Sequence, residues 1–176
     1  MAIILFDDNA HQSLLPLTYT RPVANLRIGI LTIAEKWAKH LQTIYSYHTQ
    51  PYLQAKFALV IDADNLFING GYCPDDVLLK AIDALATGEA LKYNGQLVAV
   101  KLGAKEEEAF DPQADFESTI ELQHVPVIIR YPEDIFKKND IELRKDFDLI
   151  TKGRISATLS ATNTIIGTDF FAEEGA

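Results

Sequence analysis

Ala2-Ile3-Ile4-Leu5-Phe6-Asp7-Asp8-Asn9 opens the chain, and its reading decides the fold. An unbroken apolar run this short suits a strand buried on both faces of a parallel sheet. It stops at two acids and a long polar loop that carries Arg21-Pro22 and Arg27. The loop ends where Thr32-Ile33-Ala34-Glu35 opens a helix expected from about Ile33 to Leu41. Thr32 and Glu35 have capping-box spacing, and Ile33, Trp37 and Leu41 recur on one face. Open α/β sheets bind ligands outside the carboxyl ends of their strands, where such loops lie. Two guanidiniums there suit a phosphate-bearing ligand, because the planar fork bonds phosphate oxygens in pairs.

Working outward, residues 43–47 read as a second strand. Phe57-Ala58-Leu59-Val60-Ile61 is an apolar run that stops at Asp62-Ala63-Asp64-Asn65, and Leu66-Phe67-Ile68 is another short apolar strand. The turn Asn69-Gly70-Gly71 follows, then a helix from near Pro74, with Asp75 and Asp76 facing its positive dipole end and Gly88 closing it. Residues 90–129 read as two or three strands around an acidic loop, either an antiparallel excursion or a flexible lid. Tyr131-Pro132-Glu133-Asp134 starts another helix. Asn139 with Glu142 offers a further cap, and Ile141, Phe147 and Ile150 a buried stripe.

Bulk properties narrow the function. With 176 residues and 48% hydrophobic content the chain can bury a sizeable core. Its 16 Lys plus Arg face 25 Asp plus Glu, a formal charge of −9. That balance disfavours nucleic acid and anionic membrane as partners. The single Cys73 excludes an intramolecular disulfide and fits a reducing, cytoplasmic setting. No apolar run approaches the roughly 20 residues that span a bilayer. The four histidines, His11, His40, His48 and His124, lack zinc-ligand spacing, and Cys73 has no nearby base.

Beyond Gly153 the texture turns to Ser, Ala and Thr, ending in Ile166-Gly167-Thr168-Asp169-Phe170-Phe171-Ala172. This resembles the opening coil of a left-handed parallel β-helix built from hexapeptides, an architecture that needs several stacked coils. Two units are therefore expected: an α/β domain over 1–152, and a linker with a first coil over 153–176 whose natural parent continues.

Several separated stretches carry a wider resemblance. They are residues 3–9, Leu14-Leu15-Pro16-Leu17-Thr18-Tyr19-Thr20-Arg21-Pro22, Leu26-Arg27-Ile28-Gly29-Ile30-Leu31-Thr32, Ile68-Asn69-Gly70, Asp146-Phe147-Asp148-Leu149-Ile150-Thr151 and the tail. In this order they resemble a divergent subgroup of the amino-terminal domain of the bifunctional N-acetylglucosamine-1-phosphate uridyltransferase/acetyltransferase family. The resemblance implies a Rossmann-like nucleotide-diphospho-sugar transferase fold with a mixed, mostly parallel sheet. It implies that a nucleoside triphosphate and a sugar 1-phosphate yield a nucleotide-diphospho-sugar and pyrophosphate with Mg²⁺, and that the parent forms a trimer through its β-helix. Such catalysis rests on positioning and electrostatics.

Carried onto this chain, the resemblance places Arg21 and Arg27 on the phosphates. Asn9 and the Asn69-Gly70-Gly71 turn would hold nucleotide or sugar, and Asp7 or Asp8 with Asn139 the metal. The chain departs from the family pattern in three places: no glycine lies in Asp7-Asp8-Asn9-Ala10-His11-Gln12-Ser13, Arg21-Pro22 stands where a Pro-Lys pair is usual, and Asn69-Gly70-Gly71 lacks the usual turn carboxylate. These departures leave a second reading, a catalytically inactive nucleotide-sugar-binding or scaffolding domain. Blander roles compete at each position: a helix cap for Asn139, surface ion pairs for the arginines, turn formation for Asp62, Asp64 and Asn69-Gly70-Gly71, and a solvated face for Glu106-Glu107-Glu108. Both functional readings require Arg21 and Asp7-Asp8 to converge over one crevice.

Overall fold

Ala2–Phe6 forms strand β1, and alternate residues feed different cores. Ile3 and Leu5 join a cluster containing Ile33, Trp37, Leu66, Ile68 and Leu78. Ile4 and Phe6 join Phe67, Leu97, Val100 and Leu102 on the other side. A strand buried on both faces has no use for polar alternation, which explains its uniform composition. The computed structural model describes residues 1–103 and 110–175.

Five more strands complete the sheet: β2 (Tyr45–His48), β3 (Asp64–Asn69), β4 (Glu89–Tyr93), β5 (Gln96–Gly103) and β6 (Ser118–Glu121). Their order is β2-β1-β3-β5-β4-β6. β1 runs parallel to β2 and β3, and β4 to β6, while β5 is antiparallel to both β3 and β4. The sheet is thus mixed and mostly parallel, as expected. Residues 90–129 make the antiparallel excursion: β4 turns into β5 at Asn94-Gly95, both at positive φ (50° and 75°), the hairpin geometry this dipeptide favours.

The helices are α1 (Ala10–Ser13), α2 (Ile33–Leu41), α3 (Pro51–Gln54), α4 (Asp76–Asp83) and α5 (Pro132–Thr151). Thr32 Oγ1 accepts the Glu35 amide at 3.2 Å and Glu35 returns a bond to the Thr32 amide at 2.7 Å, so the capping box forms. Trp37 is wholly buried and donates from its indole to the Tyr72 carbonyl at 2.9 Å.

Four expectations require correction. Residues 57–61 are not a strand; they run beside the edge strand β2 on isolated bonds, such as the Tyr47 amide to the Ala58 carbonyl at 3.1 Å. The sheet position next to β1 is taken by β3, which pairs with it over its whole length. Helix α4 ends at Asp83, short of Gly88, and its cap is Asp75, whose Oδ1 accepts two amides. Asn139 caps nothing, because α5 is continuous through it. The buried residues of α5 are Glu142 and Asp146, while Ile141 is 54% exposed. This helix docks through charge, with Lys36 buried between the two acids.

No helix among the described residues is long and apolar enough to cross a membrane. Residues 153–175 contain no helix or strand but turn back on themselves, with the Ala157 amide donating to the Ala172 carbonyl at 2.9 Å and Arg154 reaching Glu173. The Glu106-Glu107-Glu108 run lies outside the described residues.

Candidate functional site

Phe6 and Asn69 are register partners at the carboxyl ends of the parallel strands β1 and β3. A cavity of about 500 Å³ opens just beyond them. One wall is Asp8, Asn9, Ala10 and Ser13, the other Lys92 with residues 95–97; residues 112–115 and Arg130-Tyr131 close it. Its size and its place beyond parallel strand ends are those of a small-molecule site in an α/β sheet.

Asp8 is held at both oxygens, Oδ1 by the Ala10 amide at 2.8 Å and Oδ2 by Asn69 Nδ2 at 2.8 Å. Asn69 is 3% exposed and also donates to the Leu97 carbonyl and accepts the Gly71 amide. It therefore ties β1, β5 and its own turn together, while Asn9 at the rim meets Gln113 at 3.4 Å. The glycines answer a packing demand: a Cβ on Gly70 would stand 3.0 Å from Ala24 Cβ, and one on Gly71 3.0 Å from the Ile129 carbonyl. Neither glycine lines the cavity.

Asp7 belongs to a different network. It is 8% exposed, and its oxygens accept from the Val23 amide (2.8 Å) and Thr49 Oγ1 (2.5 Å) and meet His11 Nδ1 (3.0 Å). Burial raises its carboxyl above the usual range, with the Thr49 bond the leading opposing influence. Opposite that contact, His11 Nε2 lies 3.2 Å from the Tyr52 hydroxyl. Asp7 and His11 stand four residues apart, the one sequence signal for this pair.

The expected convergence of Arg21 with Asp7-Asp8 is only half present. Asp8 faces the cavity; Arg21 is exposed, does not line it, and makes no side-chain bond or ion pair among the described residues. Arg27 also lies outside, donating to the Ile30 carbonyl and standing 3.9 Å from Glu35. Asn139, a proposed metal ligand, instead accepts the Gly29 amide at 2.8 Å. Asp7, Asp8 and Asn139 are therefore not assembled around a common point. Among the described residues no group of three or more His, Cys, Asp or Glu could hold a metal ion. This donor set does not fit a protein-held Mg²⁺.

The cations that do line the cavity are Lys92 and Arg130. Lys92 stands 3.8 Å from the exposed Asp115. Arg130 closes the apolar run 125–129, which lies against the turn after β3: the Ile129 amide donates to the Gly71 carbonyl at 2.7 Å and the Cys73 amide to the Val127 carbonyl at 2.9 Å. That long-range pairing brings Arg130 to the strand ends, and nothing local in the sequence announces it. A lone cation ending an apolar run just before a helix is the only hint.

A second cavity, about 610 Å³, lies where α2, α4 and α5 meet, lined by Lys36, His124, Glu142 and Asp146 among others. Lys36 is bonded to Glu142 and Asp146, and His124 to Asp75. Although larger, it sits away from the strand ends and its principal charges are already paired.

Strand ends, polar cleft and cations together form the arrangement in which α/β sheets commonly hold small ligands. Residues 3–155 match the family described as sugar nucleotidyl transferase, and the chain belongs to that family. Comparison with curated proteins finds no match. Among solved structures, one described as a glucose-1-phosphate thymidylyltransferase from Bacillus anthracis, in complex with a sucrose, is similar at 11% identity and a TM-score of 0.49, covering 81% of this chain and 95% of that chain.

Proposed function

We propose that the domain joins a nucleoside triphosphate to a sugar 1-phosphate in the cavity beyond β1 and β3. The sugar phosphate oxygen attacks the α-phosphorus, the bond to the β-phosphate breaks, and pyrophosphate leaves. The observation that supports this reading most is the position of that cavity within the family's matched span. Asp8, Asn9 and Asn69 face or frame the ligand, while Arg21 and Arg27 would need to move inward to reach it. A Mg²⁺ arriving with the triphosphate would find Asp8 as its one firmly placed carboxylate.

Turnover tests the proposal: the chain with the common nucleoside triphosphates, a panel of sugar 1-phosphates and Mg²⁺ should release pyrophosphate. No release with any pair overturns it. A second reading, a binding module without turnover, is favoured by the dispersed positions of Asp7 and Asn139. It predicts calorimetric binding of nucleotide-sugar with no pyrophosphate formed.

We further propose membership of the uridyltransferase/acetyltransferase-like subgroup, with residues 153–176 leading into a trimeric hexapeptide β-helix in the cytoplasm. Light scattering on the natural full-length protein should give three subunits; a monomer would contradict this.

A further inference from the structure

Among the described residues, Arg130 is a partly buried guanidinium with no carboxylate partner. Its Nη2, shut off from solvent, meets no acceptor in hydrogen-bonding geometry among the described residues. The buried Tyr72 hydroxyl, whose electrostatic neighbour is Arg130 itself, likewise meets no partner in that geometry among them. Three of the other arginines are paired, Arg144 with Asp140 at 3.1 Å, Arg154 with Glu173, and Arg27 near Glu35. Arg21, which also lacks a partner among the described residues, stands exposed in water. In a chain where acids outnumber bases by 25 to 16, leaving a half-sheltered cation unpaired is unexpected. Charges removed from water are normally matched by an opposite charge and by full hydrogen bonding. Asp8 shares the cavity, yet both its oxygens are engaged by the Ala10 amide and Asn69.

We propose that Arg130 is the cation that takes a phosphoryl oxyanion in the cavity, with Tyr72 as its positioning residue. The proposal rests on the nucleotide-handling reading of this cavity and moves the principal phosphate contact from the loop after β1 to the residue before α5. The guanidinium offers five donors in a fixed fork and bonds phosphate oxygens in pairs. Tyr72 lies close enough for the two groups to influence each other. Burial pushes its phenol up to about 12, against the lowering effect of the Arg130 charge. It therefore stays neutral at working pH and supports the guanidinium without cancelling it. The Tyr72 backbone is fixed by the Trp37 indole bond to its carbonyl and by a bridge to Ile128, two residues before Arg130. Lys92, at the other wall, supplies a second, more exposed charge.

The test is calorimetric titration of the full chain with inorganic pyrophosphate, a nucleoside triphosphate and glucose 1-phosphate. Wild type, Arg130→Gln, Arg130→Lys, Tyr72→Phe and Arg144→Ala are compared, the last removing the same charge from an exposed ion pair. Arg130→Gln is expected to lower pyrophosphate affinity on the order of tenfold or more, with Arg130→Lys and Tyr72→Phe intermediate and Arg144→Ala within about twofold of wild type. The ligand-free thermal midpoint of Arg130→Gln should stay level or rise, because an unmatched charge has been removed, whereas a merely structural arginine would lower it. Comparing the three ligands shows which phosphoryl group Arg130 holds. Pyrophosphate bound by Arg130→Gln as tightly as by wild type overturns the inference, as does a loss that Arg144→Ala shares. Arg130-dependent pyrophosphate binding without turnover would leave this inference standing while the transferase reading fell; undiminished turnover in Arg130→Gln would do the reverse.

Discussion

Gly29 lies against Asp146: a β-carbon on the glycine would stand 2.6 Å from the carboxylate Oδ2 and 2.8 Å from the Glu142 carbonyl. The same Oδ2 accepts the amides of Ile30 and Leu31 at 2.9 Å each, and Asn139 Oδ1 accepts the Gly29 amide at 2.8 Å. The run Gly29-Ile30-Leu31 thus wraps its amides around side chains of α5, which explains two of the stretches that carry the family resemblance. They form a clasp between the loop before α2 and the last long helix.

Gly29→Ala should therefore be severely destabilising. The residue sits at φ +76°, where a side chain costs about 1–2 kcal/mol, and the clash with α5 adds to that, for a total of about 3 kcal/mol or more. Gly88→Ala provides the comparison, since Gly88 has φ +84° but open space around it. Urea unfolding of both variants should show Gly29→Ala losing clearly more. Equal losses would mean that the close approach to Asp146 contributes nothing.

Lys36 is 2% exposed and bonds Glu142 Oε2 at 3.0 Å as well as Asp146 Oδ1. Replacing it by Met leaves two buried acids with Lys145, at 2.9 Å from Glu142, as their nearest remaining cation. The expected loss is about 3–5 kcal/mol, the range for breaking a buried pair from one side. A Lys36→Met midpoint in urea close to wild type would show that the two carboxylates take up protons or water at little cost.

Much of the fold is legible because its signals are local. Five successive apolar residues give β1, and Thr32 with Glu35 gives the start of α2. Asn94-Gly95 is an equally local signal and marks the β4–β5 hairpin. The candidate site is harder because its parts are joined over long range. Glu142 and Asp146 look like a solvated helix face until Lys36, over a hundred residues away, is seen between them. Arg130 reaches the cavity only through the pairing of residues 127–129 with 71–73. Arg21 illustrates the opposite case: the residue type suits phosphate, but among the described residues no contact brings its side chain to the strand ends.

Asp7 and Asp8 are neighbours with separable roles. Asp7→Ala removes the acceptor for the Val23 amide and the Thr49 hydroxyl, and the partner of the His11 ring, all around a buried carboxylate. A loss of about 2–4 kcal/mol is expected. Asp8→Ala gives up two bonds at a half-exposed position and should cost about 1 kcal/mol. Its effect should appear instead in pyrophosphate release, reduced on the order of tenfold or more if Asp8 positions the ligand. Thermal denaturation and turnover on the same preparations separate the pair, and the opposite pattern would reverse the assignments.

His48 should make stability fall on mild acidification. Its ring meets Phe67 and Phe110 edge-on at centroid distances of 6.4 and 5.3 Å, and burial lowers its imidazole below the usual 6.5, with Asp7 opposing. Burial lowers His40 in the same direction. Each histidine therefore binds a proton more readily in the unfolded chain than in the folded one. Between the lowered folded value and 6.5 the unfolded state holds more protons, so stability rises with pH through that window. The contribution is complete above 6.5 and is lost as pH drops through the folded value. Asp7, whose carboxyl is raised above 3.8, acts with the opposite sign at the acid end and blunts the decline there. Urea midpoints should be level from about pH 8 to 7 and then decline toward pH 5. His48→Phe, which keeps an aromatic ring against Phe67 and Phe110, should reduce that decline, leaving the share due to His40. A His48→Phe profile that falls as steeply as wild type would remove His48 from the account.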